Sequence, residues 1–115
     1  MTFDEYQKLA LKTEMMQRPK IINANDPAFV AKILGLVGES GELADKYKKL
    51  VRDKGGFISE EDKIGMAKEI GDILWYLTVV SDYLDLSLSD IANDNLAKLA
   101  SRKSRGVQTG SGDDR

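Results

Sequence analysis

The chain has 115 residues, which is enough to bury one hydrophobic core and too few for a second folded unit. The chain has 17 basic and 19 acidic residues and a net charge of −2, so it lacks the excess of basic residues that is typical of proteins that bind nucleic-acid polymers. Because the chain contains neither cysteine nor histidine, thiol nucleophiles, disulfides, Ser-His-Asp hydrolysis and histidine-ligated metals are excluded, and oxygen ligands remain for any metal.

The N-terminal residues predict a first helix. Thr2 and Glu5 have the spacing of a capping box, and apolar residues at helical intervals continue to about Met16. We therefore expect a helix from Phe3 to about Met16, with Pro19 preventing its continuation.

A second helix is predicted to begin at Asp26-Pro27, an N-cap followed by proline, and to end at Lys54-Gly55-Gly56. Steps of four and three, typical of a helical bundle, separate its apolar-stripe positions, which are Phe29, Ile33, Leu36, Ser40, Leu43, Tyr47 and Leu50. Gly35, Gly38 and Gly41 lie inside this helix, where each costs about 1 kcal/mol relative to alanine. Close packing or the approach of a nucleotide would offset that cost.

A third helix is predicted after the Ser59 cap. Its apolar stripe comprises Met66, Ile70, Ile73, Leu77, Val80 and Leu84. Trp75 lies on the opposite face, so this helix is either central or covered by another subunit. The longest apolar run, Ile73–Val80, is about half the length of a membrane span, and we expect a cytoplasmic protein with no membrane partner.

A fourth helix, capped by Ser87 or Ser89, is predicted to reach about Lys103, with Ile91, Leu96 and Leu99 as its apolar contacts. The predicted fold is therefore all-α, a bundle of four main helices over residues 1–105. Residues 106–115 form a glycine-rich polar tail without periodicity, which is typical of a flexible segment. The two apolar faces of the third helix predict assembly into a homodimer or homotetramer.

Two acidic pairs are the strongest functional signal. Glu39 and Glu42 are three residues apart on the second helix, and Glu69 and Asp72 repeat that spacing on the third. Each acid immediately precedes a position of the apolar stripe on its helix. Both pairs therefore lie beside the apolar seam, the line along which the two stripes would pack, and can converge when the helices pack together. Converging carboxylates repel unless an oxygen-seeking cation neutralises them, and Mg²⁺, with Mn²⁺ as a substitute, fits best.

The alternative is that these acids are solvated helix flanks with ordinary surface ion pairs. Lys46 follows Glu42 by four residues and Lys68 precedes Asp72 by four, so these two acids have a partner on their own helix, whereas Glu39 and Glu69 have none. Spacing alone does not choose between the two interpretations.

The sequence around both pairs resembles the MazG-like family of all-alpha nucleoside triphosphate pyrophosphohydrolases. The similarity lies in GLVGESGEL at residues 35–43 and KEIGDILWYL at residues 68–77, which carry E-x-x-E and E-x-x-D separated by a spacer of 26 residues. Many members have an additional glutamate where this chain has Gly38. The resemblance extends over most of the chain.

The resemblance implies a function and a set of site residues. Glu39, Glu42, Glu69 and Asp72 would be metal ligands, and Glu39 or Glu42 would be the catalytic base. An Asn-x-x-Lys pattern and a downstream arginine are matched by Asn95, Lys98 and Arg102, which would bind substrate phosphate. The reaction would be Mg²⁺-dependent hydrolysis of a nucleoside triphosphate between the α and β phosphorus atoms. The tail, which is similar to that of some small members, would then fold over a neighbouring active site and place Asp113 or Arg115 against substrate.

Two other functions fit the same residues. A noncatalytic helical interaction module would use the apolar stripes as its oligomer seam and leave the acids in solvent. Nucleic-acid binding through the basic residues between Lys46 and Lys54 and between Arg102 and Arg105 is disfavoured by the acidic balance.

Overall fold

Side-chain caps begin each of the four α-helices in the computed structural model, which describes all residues from Met1 to Arg115. The helices are α1 (Phe3–Ala10), α2 (Pro27–Lys54), α3 (Glu60–Tyr83) and α4 (Leu88–Ser104), and a 3₁₀ turn (Leu11–Thr13) follows α1. The chain contains no β-strand. The predicted all-α class and its four main helices are confirmed.

The caps explain most helix boundaries. Asp26 accepts hydrogen bonds from the backbone N–H groups of Ala28 and Phe29, which satisfies donors that have no partner within α2. Gly55 ends α2 in the left-handed region at φ 59°, where a residue without Cβ is unstrained. Of the two serines predicted to cap the fourth helix, Ser87 does so, by accepting from the N–H of Asp90.

The first helix is shorter than predicted, because α1 ends at Ala10 and only the 3₁₀ turn continues it. Glu14 is extended, with φ −70° and ψ 123°. Its backbone leaves the helix while its carboxylate contacts Lys32 on α2 at 2.9 Å. Thr13 meanwhile accepts a hydrogen bond from the indole N–H of Trp75 on α3 at 2.8 Å. These tertiary contacts outweigh the helical periodicity that predicted an end near Met16.

The principal packing unit is an antiparallel hairpin of α2 and α3. Lys54 and Asp62 join its turn end through an ion pair of 2.8 Å, and this bond, with those from Ser59, lowers the pKa of Asp62 to about 2. The core lies at the opposite end, where Val79 and Tyr83 of α3 pack against Ala28 of α2. The residues packed around this cluster are Leu11, Phe29 and Trp75.

Much of the predicted apolar stripe is not covered within one chain. Ile70 and Leu77 of α3 remain 54% and 42% exposed, and the C-cap residue Leu84 remains 38% exposed, whereas the buried face carries Thr78 and Val79. The buried face packs against Ala28 of α2 and against Leu11, which follows α1. The predicted apolar contacts of the fourth helix are also exposed, namely Ile91, Leu96 and Leu99.

The dimensions of the chain agree with this open packing. Its radius of gyration is 17.1 Å, whereas a compact chain of this length has about 13 Å. Its accessible surface is 8227 Å², compared with about 6,200 Å² expected for a monomer of this mass. None of the helices combines the length and the apolar character needed to cross a bilayer.

Candidate metal centre and phosphate site

Three of the four predicted metal ligands converge between α2 and α3. One carboxylate oxygen each from Glu39, Glu69 and Asp72 lies within 4.8 Å of the others. Glu39 and Glu69 are half-buried and Asp72 is exposed, so the group opens to solvent on one side. We call these three residues the carboxylate cluster. Oxygen ligands at this separation suit a hard divalent cation.

Electrostatics within the carboxylate cluster point to the same conclusion. Burial raises the pKa of Glu39 above its usual value, and the charges of Asp72 and Glu69 raise it further. Glu42 contributes in the same direction from one turn further along α2. Ionised carboxylates therefore destabilise one another in this cluster, and a bound cation would lower the free energy of the folded chain. The residues present therefore fit a divalent metal.

Glu42 stands apart from the other three acids. It is exposed, and its carboxylate lies outside the 4.8 Å group. The structure therefore brings together Glu39, Glu69 and Asp72 and leaves Glu42 at the edge of the site.

If the acids were solvated helix flanks, Lys46 would pair with Glu42 on its own helix. It does not form that ion pair. Its ammonium group lies 3.3 Å from Oε1 of Glu69 on the other helix. Lys46 was not among the predicted site residues, although its spacing from Glu39 indicated a position on the same helix face. It follows Glu39 by seven residues, which places it on the same face two turns later.

Gly35 and Tyr76 lie one turn from the carboxylate cluster, since Gly35 precedes Glu39 by four residues and Tyr76 follows Asp72 by four. The Tyr76 ring occupies the space that a Cβ at position 35 would fill. The packing explanation for the glycines is confirmed at Gly35. At Gly38 and Gly41, a Cβ would meet nothing within 4 Å.

The predicted phosphate-binding residues lie elsewhere in the chain. Asn95, Lys98 and Arg102 belong to α4, which packs chiefly on α1 and does not lie along the α2–α3 hairpin. Asn95 and Lys98 line one shallow cleft with Ile91 and Asp94. Within a single chain, the helix packing does not bring these residues to the carboxylate cluster.

The C-terminal segment contacts two of these residues. The Asp113 carboxylate lies 3.3 Å from both Lys98 and Arg102, and Arg102 also donates to the backbone oxygens of Gly112 and Asp113. Arg102 is only 6% exposed as a result. The hydrogen bond from Lys98, followed by that from Arg102, lowers the pKa of Asp113. Asp113 therefore contacts residues of its own α4.

Comparison with known proteins identifies the family of the chain. The MazG nucleotide pyrophosphohydrolase domain matches residues 30–107, which include all seven predicted site residues. The chain is also 50% identical over 82 residues to the Gene 37 protein of Mycobacterium phage L5, an alignment that covers 71% of this chain and 72% of that protein. No solved structure matches the chain. The chain belongs to the MazG nucleotide pyrophosphohydrolase family.

Proposed function

We propose that the chain is a Mg²⁺-dependent nucleotide pyrophosphohydrolase, with Mn²⁺ as a possible substitute, that acts in the cytoplasm. The reaction cleaves a nucleoside or deoxynucleoside triphosphate between the α and β phosphates to a monophosphate and pyrophosphate. The observation that carries the proposal is the convergence of Glu39, Glu69 and Asp72 oxygens within 4.8 Å across two helices. Family membership supplies the nucleotide substrate class.

The four acids have different proposed roles. Glu39, Glu69 and Asp72 would hold the metal, and Glu42 would complete the ligand set or act beside it. When bound, the metal would neutralise phosphate charge and lower the pKa of water at the site. Because the Glu42 carboxylate lies outside the cluster, it is better placed than Glu39 to accept the proton of the attacking water.

The phosphate contacts are proposed for Asn95, Lys98 and Arg102. Two cations and an amide on one helix face would hold phosphate oxygens through charge-assisted hydrogen bonds. Since α4 packs on α1 and not along the hairpin, we propose that assembly of a homodimer or homotetramer brings α4 of one subunit to the carboxylate cluster of another. The exposed stripe on α3 supports such an assembly.

The test is pyrophosphate release from a panel of canonical and modified triphosphates, with and without Mg²⁺. We expect Glu39→Gln and Glu69→Gln to abolish activity. Glu42→Gln should lower kcat by about 10² or more while the protein still binds the metal. Wild-type activity in both Glu39→Gln and Glu69→Gln would overturn the metal assignment.

Thermal unfolding with and without Mg²⁺ separates the enzyme from a noncatalytic interaction module. A ligand that binds the folded state raises the melting temperature by mass action. Mg²⁺ should therefore stabilise the wild-type chain and have little effect on Glu69→Gln. An interaction module would show no specific response to the ion.

A further inference from the structure

Lys46 is the basic residue whose side chain contacts the carboxylate cluster. Its ammonium group is 3.3 Å from Oε1 of Glu69, and its side chain remains 41% exposed. The Glu69 side chain is 16% exposed, so this ion pair lies at the mouth of the hairpin seam. No other ion pair in the chain contacts Glu39, Glu69 or Asp72.

Lys46 also lines a neighbouring cleft of about 400 Å³ between the end of α2 and the start of α3. Two further lysines line the same cleft, but each has a local partner. Lys49 pairs with Asp45 at 2.6 Å, and Lys54 pairs with Asp62 at 2.8 Å. Lys46 is the lysine of this cleft whose partner is a proposed metal ligand.

This arrangement gives Lys46 two competing partners. A divalent cation held by Glu69 would take the carboxylate that now neutralises the ammonium group. An exposed ammonium group that loses its counter-ion beside a cleft is free to bind another anion. An ammonium group binds phosphate as a point charge with three donors, and no fixed geometry is required.

We propose that Lys46 is a phosphate-binding residue of the substrate site, held by Glu69 until a divalent metal binds and then donating to the β or γ phosphate in the adjoining cleft. The inference rests on the proposed function, because it takes the triphosphate and the metal from there. It adds a fourth phosphate contact on the same hairpin as the carboxylate cluster, whereas Asn95, Lys98 and Arg102 all lie on α4.

The proposal makes two predictions of opposite sign for Lys46→Met. Mg²⁺ should bind about threefold more tightly in the absence of nucleotide, because an ion pair of this kind no longer competes for Glu69. Inorganic tripolyphosphate with Mg²⁺ should bind about tenfold more weakly, because a charge-assisted hydrogen bond is lost. A merely structural lysine would not change the two affinities in opposite directions.

Isothermal titration calorimetry measures both effects. Mg²⁺ is titrated into the protein alone, and tripolyphosphate is then titrated into the protein in saturating Mg²⁺. Lys49→Met is the matched control, because Lys49 lines the same cleft but pairs with Asp45, and neither affinity should change. Lys46→Arg keeps the charge and should restore tripolyphosphate binding. Unfolding curves establish that each variant is folded.

Unchanged tripolyphosphate affinity in folded Lys46→Met would overturn the proposal, as would weaker Mg²⁺ binding. These outcomes are distinct from failure of the proposed function. A wild-type chain that binds Mg²⁺ and tripolyphosphate but releases no pyrophosphate from any nucleotide would overturn the hydrolase assignment alone. A wild-type chain that binds neither ligand would overturn both.

Discussion

Lys32 on α2 places its ammonium group 2.9 Å from Oε2 of Glu14, and both side chains are less than one-tenth exposed. Tyr83 donates to the same carboxylate at 3.2 Å, and the Lys32 ammonium lies 5.1 Å from the ring centre of Trp75. Burial acts to raise the pKa of Glu14, but hydrogen bonds from Lys32 and from the backbone of Met16 hold it below its usual value. The pair fixes the segment after α1 to the hairpin.

Lys32→Met should destabilise the fold by about 3 kcal/mol, because it leaves the buried Glu14 charge without its partner. Urea unfolding measures this change. The double variant Glu14→Gln/Lys32→Met should recover part of the loss, since no isolated charge remains. Lys12→Met, at an exposed position near the same segment, is the control and should have little effect. Equal losses in the single and double variants would contradict a charge-based role.

Gly35→Ala should lower stability by about 1–3 kcal/mol, because the new methyl group overlaps the Tyr76 ring. Gly38→Ala is the matched control one turn away. Nothing lies within 4 Å of a Cβ there, and replacing a helical glycine should stabilise the chain by up to about 1 kcal/mol. Thermal unfolding of both variants tests the pair, and effects of the same sign would contradict the close contact between Gly35 and Tyr76.

The raised pKa of Glu39 predicts how stability depends on pH without metal. Burial, followed by the charges of Asp72 and Glu69, disfavours ionised Glu39 in the folded chain. Its contribution to stability is therefore complete below the unfolded pKa of about 4.3 and is lost as pH rises through the higher folded value. Glu39→Gln stays neutral, so its stability relative to wild type should increase as the pH rises from about 4 to about 7.

Urea unfolding in EDTA across that range measures the difference between the two proteins. Carboxylates that do not interact with Glu39 titrate alike in both proteins, so their contributions cancel. Saturating Mg²⁺ at neutral pH should remove the advantage of Glu39→Gln, because the metal stabilises only the intact cluster. A difference independent of pH would show that the three carboxylates do not repel one another in solution.

The exposed stripe of Ile70, Leu77 and Leu84 predicts an oligomer. Light scattering at micromolar concentration should give the mass of a dimer or tetramer. Leu77→Glu should shift the mass toward the monomer, because burying a carboxylate in an apolar interface is costly. Met15→Glu, at a residue 97% exposed outside the helices, is the control. A strict monomer for the wild-type chain would contradict the prediction.

Asp113→Asn tests the contact between the C-terminal segment and α4. Asp113 pairs with Lys98 and Arg102 at 3.3 Å, so a triphosphate bound by these two cations must displace it. We expect the variant to lower KM by about two- to fivefold, as for an exposed ion pair. Asp114→Asn, which removes a neighbouring carboxylate, is the control. A higher KM for Asp113→Asn would instead show that Asp113 helps to bind substrate.

The sequence by itself determined the features that depend on local chemistry. Asp26, Ser59 and Ser87 cap helices because their side chains reach N–H groups within three residues, and Gly55 ends α2 because it tolerates positive φ. The convergence of Glu39 with Glu69 and Asp72 was also predictable, since each acid borders the seam at a fixed helical spacing.

Only the tertiary structure decided which partners those side chains reach across the chain. Lys46 has acids within range on two helices, and the packing of the hairpin selects Glu69 over Glu42. The end of α1 at Ala10 depends on Glu14 meeting Lys32, which follows it by 18 positions. The apolar stripe of α3 stays partly exposed because Ala28 of α2 and Leu11 pack instead against the face that carries Val79. Helical periodicity determines which residues share a helix face, but the packing of other elements determines what covers that face.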